Sequence, residues 1–294
     1  MTEDPDGLEA DIDEVRRLLA ARLRELRRAA GLSGEQLAAR CRWSQSKVSK
    51  IETGKTVPQV ADVNAWAQAV GAAAGVRAEL ETLTEDTLTA VVGWRKALRG
   101  GRGRMQTRIA KVEAASSVVR IFQPLIVPGL LQTAEYARRL FGFAQPPLGA
   151  DDLAAALKGR MERQAVLFDL RKRFEFVIGE PGLRWRIAPA HVMRGQLDRI
   201  GSLIGLPNVD IGVIPMDAAA DVLLYHGFVI FGEPGYDDDA HVSVETITED
   251  LTIRDADKVA AYLNEFTRLR AAAVFGDEAR AALTAIVADL PPAT

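Results

Sequence analysis

The chain has 294 residues, of which 48% are hydrophobic and 26% charged, enough for two domains with real cores and unlike a disordered chain or a coiled coil. No apolar run nears the ~18 residues of a membrane span, residues 1–6 are acidic where a signal peptide would be basic and then apolar, and the single Cys41 fits a reducing compartment, so the expectation is a soluble cytoplasmic protein without membrane attachment. The formal net charge of −3 hides a segregation: residues 3–14 hold seven acids and no base, whereas residues 16–55 hold eleven bases against Glu25, Glu35 and Glu52. Residues 95–111 add seven bases without an acid, and residues 233–257 are acidic. A +8 segment inside an acidic protein points to a polyanion partner.

In chain order, Ile12, Val15, Leu18, Leu19, Leu23 and Leu26 form the apolar stripe of a helix over 12–29 that Gly31 stops. Ser33 and Gln36 make a capping-box pattern ahead of a short helix, about 34–41. Arg42-Trp43 is a turn, and Ser44 caps a second short helix, about 45–53, closed by Gly54. Helices over about 59–70 and 75–88 complete five short helices. Gly100, Gly101 and Gly103 among arginines mark 95–112 as a basic linker. Beyond it, helical patterns at about 105–121, 130–142, 151–171 and 190–204 mix with strand-like runs at 174–178, 183–187, 209–214, 223–231 and 241–247, the last two reading as a hairpin. Two helices follow, about 254–275 and 277–289. The spacing of Pro128-Gly129 places Thr133 too late to cap the helix it precedes. The division expected is an acidic tail (1–14), an all-α five-helix domain (15–94), the linker (95–112) and an α+β domain (113–294).

The second short helix carries the functional signal. With Val48 and Ile51 on its inner face, 100° per residue turns Ser46, Ser49 and Lys50 outward, with Gln45 and Lys47 at the N-terminal turn. This surface is small, polar and basic, with no acid until Glu52, and fits a ~12 Å major groove. Gln pairs bidentately with adenine, Lys with guanine, and Ser with either. Base contacts are therefore expected from Gln45, Ser46, Ser49 and Lys50.

The run Leu26-Arg-Arg-Ala-Ala-Gly-Leu-Ser-Gly-Glu-Gln-Leu-Ala-Ala-Arg40, followed by Trp43-Ser-Gln-Ser-Lys-Val-Ser-Lys-Ile-Glu-Thr-Gly-Lys55, resembles the Cro/C1/Xre-type helix-turn-helix of bacterial and phage repressors over about residues 15–72. The resemblance implies a lambda-repressor-like fold, phosphate contacts from Ser33, Gln36, Arg42, Ser44, Lys47 and Lys55, and a structural ion pair between Arg27 and Glu52. One departure is Gly34, which stands where the family often has a phosphate-touching Gln. Farther on, Phe122-Gln-Pro-Leu-Ile-Val-Pro-Gly-Leu-Leu-Gln-Thr-Ala-Glu-Tyr-Ala137, Arg160-Met-Glu-Arg-Gln164 and Phe176-Val-Ile-Gly-Glu180 are similar to an actinobacterial regulator family with a large C-terminal domain of unknown function. That similarity implies transcriptional control and a small protein partner encoded nearby.

No catalytic residue, cofactor or metal is expected. Gly-x-Ser-x-Gly, a phosphate-cradling Lys-Ser/Thr loop and His-Glu-x-x-His are all missing, and His191, His226 and His241 are scattered. Arg160, Arg163, Glu180 and Glu245 fit either an effector or partner pocket or an internal charge network. A DNA-binding regulator leads. It acts as a homodimer on double-stranded DNA at the nucleoid, because one head reads too few base pairs to discriminate over a genome. A protein-interaction adaptor, antitoxin-like toward a small neighbouring protein, is the alternative, and a nucleic-acid-modifying enzyme a distant third.

Overall fold

A computed structural model describes residues 7–93, 101–144, 147–217, 222–247 and 249–292. The chain forms two compact units. The first comprises residues 1–99 with 234–241 and 246–260; the second comprises residues 100–233, 242–245 and 261–294.

The first unit is built on helices α1 (Gly7–Ala29), α2 (Gly34–Cys41), α3 (Gln45–Glu52), α4 (Val60–Val70) and α5 (Ala74–Leu88). Their apolar faces meet in one core, where Leu19, Leu23, Leu37, Val48, Ile51, Val63, Trp66 and Leu80 are at most 1% exposed. Leu19 and Leu23 share the inner face of α1, but Leu18, expected in the same stripe, lies beyond its edge and is 58% exposed. The side chain of Ile12 and the tail residues 1–6 lie outside the described residues; from Gly7 the expected tail is already helix. Past α5, a strand that the sequence pattern does not announce, β1 (Thr89–Gly93), pairs antiparallel with a distant strand, Glu249–Ile253, with Thr89 opposite Ile253. The Gln59 side chain, before α4, donates to the carbonyl of Arg254 at 3.1 Å and accepts from the N–H of Ala256 at 3.0 Å.

The second unit starts with α6 (Gly101–Ala115). The expected linker is therefore helix from residue 101 on, and residues 95–100 lie outside the described residues. Of its glycines, Gly101 and Gly103 lie against the neighbouring helix. A Cβ on Gly103 would sit 2.9 Å from Ala155 Cβ, and one on Gly159 2.8 Å from Gln106 Cβ, so α6 and α8 (Ala150–Arg163) cross at a distance only glycine permits. The helix read through residue 121 ends at Ala115. Val118–Gln123 is instead strand β2, a run of β-branched and aromatic residues with Val119, Ile121 and Phe122 buried. β3 (Arg173–Gly179) and β4 (Val209–Ile214) follow as expected, each parallel to its neighbour, β2 to β3 and β3 to β4. β5 (Phe228–Phe231) lies antiparallel to β2, and β6 (His241–Glu245) is its other neighbour, giving the order β6-β5-β2-β3-β4.

Other expectations are corrected. Residues 183–187 are not a strand: Pro181 opens a short helix, α9 (Glu180–Arg184). The strand expected over 223–231 begins only at Phe228, and Ile247, expected inside the last strand, is 98% exposed. The helix expected over 130–142 is a 3₁₀ turn, Gly129–Leu131, then α7 (Ala134–Phe141). That turn consumes the residues expected to open the helix, so Thr133 is its cap after all, its hydroxyl accepting from Tyr136 N–H at 3.3 Å. Helix 151–171 likewise ends at Arg163 and gives way to a 3₁₀ turn, Gln164–Phe168. α10 (Ala190–Leu203) and α12 (Gly276–Ala288), with α11 (Ala256–Ala271) between them in the chain, complete the described elements. Phe174, Phe176 and Ile178 on β3 sit at the centre of a core shared with Met193, Leu197 and Ile200 of α10 and Leu283 and Ile286 of α12.

Candidate nucleic-acid interface

Local chemistry fixes the α2–turn–α3 geometry. Ser33 Oγ accepts from the Gln36 N–H at 3.1 Å while Gln36 Oε1 accepts from the Ser33 N–H at 2.8 Å. These two side chains are thus engaged in the capping box that presents the N-terminus of α2. Arg42 adopts a left-handed conformation, φ 58° and ψ 41°, and reverses the chain. Ser44 Oγ then accepts from the Lys47 N–H at 3.2 Å and starts α3.

Burial of Val48 and Ile51, each 1% exposed, sets the roll of α3. Gln45, Ser46 and Ser49 are exposed and Lys50 is half-buried on the opposite side; Arg42, Ser44 and Lys55 are exposed around them. Gly34 has open space: a Cβ there would meet only Val48 Cγ1, at 4.0 Å.

Two lysines already have anionic partners. Lys47 Nζ lies 2.6 Å from Asp62 Oδ1 and 4.3 Å from the Trp43 ring centroid. Lys50 Nζ lies 2.5 Å from Asp238 Oδ1. The one acid of α3, Glu52, is turned away from the outer face. Arg27 donates through Nε to Glu52 Oε1 at 2.5 Å and through Nη2 to Oε2 at 3.0 Å, and its Nη1 reaches the Leu32 carbonyl at 2.7 Å. These bonds hold the Arg27 proton more tightly than usual, outweighing partial burial. Arg24 donates to the Glu52 carbonyl as well. Sequence patterning does not place Arg16, Arg24, Asp62 or Asp238 in this site. Lys47 and Asp62 are 15 residues apart and Lys50 and Asp238 188 apart, separations that no local spacing rule reaches.

In the second unit three of the four expected pocket residues, Arg160, Arg163 and Glu245, lie near enough to act on one another's charge, whereas Glu180 is held by other partners. Arg163 forms a buried bidentate pair with Glu113, at 2.5 and 3.0 Å, with side chains 8% and 2% exposed. Gln106 Oε1 accepts from Arg163 Nη1 at 2.6 Å and from Arg160 Nε at 3.0 Å, and Arg160 Nη1 donates to Gln132 Oε1 at 2.6 Å. Burial, then the neighbouring Arg163 charge, pushes the Arg160 pKa down to about 10, so it stays protonated at neutral pH. Glu180 has other partners: Arg184 at 2.5 Å and the Met216 N–H at 2.7 Å. Glu245 is exposed. Arg160 and Arg163 thus belong to an internal polar network that ties α6 to α8, because buried charges need such partners. A separate apolar recess of about 180 Å³ is lined by residues including Phe122, Leu223, Tyr225, Phe228 and Tyr262. Among the described residues no group of three or more His, Cys, Asp or Glu could hold a metal ion, and no helix is long and apolar enough to cross a membrane.

Residues 18–80 match the model of a helix-turn-helix domain. The chain is 35% identical over 74 residues to the uncharacterized HTH-type transcriptional regulator y4dJ of Sinorhizobium fredii (strain NBRC 101917 / NGR234), a stretch covering 25% of this chain and 92% of that protein. Residues 106–285, more than half of the chain, match a domain of unknown function (DUF5753). The chain therefore belongs to the DUF5753 family and carries a helix-turn-helix domain at its N-terminal end.

Proposed function

We propose that the protein is a sequence-specific DNA-binding transcriptional regulator that lays α3 in the major groove. One observation carries this reading: the outer face of α3 carries Gln45, Ser46 and Ser49 exposed to solvent with Lys50 beside them, paired to Asp238, while Glu52, its one acid, is locked to Arg27. Gln45, Ser46, Ser49 and Lys50 read base edges. The N-terminus of α2, set by Ser33 and Gln36, together with Arg42, Ser44, Lys47 and Lys55, holds phosphates. The regulator named among its relatives supports the same role.

Binding to duplex DNA should weaken linearly in log affinity against log salt. Lys55→Ala should weaken all sequences alike and reduce the salt slope by about one, whereas Gln45→Ala/Lys50→Ala should cost about 1–3 kcal/mol for each lost base contact and relax sequence preference. Equal affinities and footprints for wild type and the double variant would contradict the assignment. Salt-insensitive association would favour the adaptor reading instead.

The regulator acts as a homodimer joined mainly through residues 105–294, since useful discrimination needs two half-sites about one helical turn apart. Sedimentation of the full chain should give twice the chain mass at micromolar concentration, with two chains per duplex; a monomer bound one to one would end this reading. The apolar recess at Phe122, Phe228 and Tyr262 is the place for a small effector.

A further inference from the structure

The acidic run Asp237-Asp238-Asp239 lies in the segment 234–241, which belongs to the same compact unit as the helix-turn-helix. One end of this run is anchored. Arg254 donates to Asp239 through Nε at 2.8 Å and Nη2 at 3.2 Å, and Arg16 Nη1 lies 3.8 Å away. Arg254 is itself fixed, its N–H donating to the Leu88 carbonyl at 2.7 Å and its own carbonyl accepting from Gln59. Burial alone would push the Asp239 carboxyl up, but the Arg254 hydrogen bonds and the nearby cations outweigh it and hold the group ionised. The next residue, Asp238, reaches Lys50 on the outer face of α3 at 2.5 Å. The two side chains of that pair are 51% and 42% exposed, so the contact is weak and open to competition.

A carboxylate oxygen on a lysine of the outer face occupies the place a nucleic-acid acceptor would take. The adjoining Asp239 carboxylate is neutralised by Arg254, so the run acts on α3 through Asp238. We propose that residues 237–239 form an autoinhibitory acidic strap that holds Lys50 through Asp238 and must be displaced before α3 engages DNA. This rests on the DNA-binding reading above and adds a control to the same surface. The strap sets a threshold: DNA that offers Lys50 only weak contacts does not displace it, and release of the strap strengthens binding without any new contact.

The test uses the full chain and a random-sequence duplex, followed by fluorescence anisotropy across a salt series. Asp237→Asn/Asp238→Asn neutralises the strap and keeps the Asp239 anchor. Asp277→Asn/Glu278→Gln, on an exposed turn of α12, changes the net charge equally. The strap variant should bind about fivefold tighter at low salt, the fold-change of a ~1 kcal/mol surface pair. The gain should shrink as salt shortens the screening length below about 8 Å, and Lys50→Ala should remove most of it. The control should bind as wild type does. Equal tightening in both variants would reduce the effect to net charge and overturn the strap. Salt-dependent binding of equal strength in wild type and strap variant would overturn it while leaving the DNA reading intact. No salt-dependent binding by any variant would overturn the DNA reading and the strap with it.

Discussion

Replacing Glu113 by alanine should destabilise the second unit by about 3–5 kcal/mol, the cost of leaving one member of a buried ion pair without its partner. Arg163 would then keep only Gln106, with a guanidinium that is 8% exposed and cannot shed its proton. Arg163→Ala should cost a similar amount by stranding the Glu113 carboxylate. Glu113→Gln/Arg163→Met, which removes both charges and keeps the volume, should cost clearly less than either single change. Denaturant titrations of the four proteins form the cycle. Single changes within about 0.5 kcal/mol of wild type would mean that α6 and α8 hold together without this pair. In that case Arg160 and Arg163 would be free to serve a ligand, the use the structural network argues against.

The pair Arg27–Glu52 should show the second largest effect. Glu52→Ala removes the acceptor of two Arg27 hydrogen bonds, and a charge-assisted bond of this kind contributes about 1.5–3 kcal/mol. The side chains are 13% and 12% exposed, so solvent recovers part of the loss, and about 2 kcal/mol is expected. The coupling measured with Arg27→Ala should be positive, and additive single effects would contradict it. DNA affinity should fall further than stability alone predicts, because the pair ties α1 to the last turn of α3 and fixes the roll of the reading face.

The parts of this protein that are legible in its sequence are those set by neighbouring residues. The Ser33–Gln36 capping box, the Ser44 cap, the reversal at Arg42 and the inward Val48 and Ile51 are all decided within about four residues. Helical periodicity alone therefore suffices to assign the outer face of α3. The failures share one cause, competition from distant partners. Val118–Gln123 continues an apolar pattern after a helix, and only its pairing with β3 and β5 makes it a strand. Glycines 101 and 103 have the composition of a linker, and their packing role depends on Asp152 and Ala155, some fifty residues away. Thr133 escapes recognition as a cap because a 3₁₀ turn leaves no hydrophobic period to detect. Glu180 and Arg163 suggest one site because both are charged residues within similar motifs, yet each is satisfied by a different neighbourhood.

The pairing of β1 with residues 249–253, and the grip of Gln59 on residues 254 and 256, make the helical head discontinuous in the gene. A fragment ending near residue 94 would carry a raw strand edge, the kind of surface that recruits stray chains into aggregates. It would also lose the strap. Recombination that exchanges the first ninety residues between relatives would therefore produce chimaeras with mismatched seams. The unit that can be inherited intact is a pair of gene segments some 150 residues apart, and substitutions in β1 and β7 (Glu249–Ile253) must accumulate together for a transplanted head to fold.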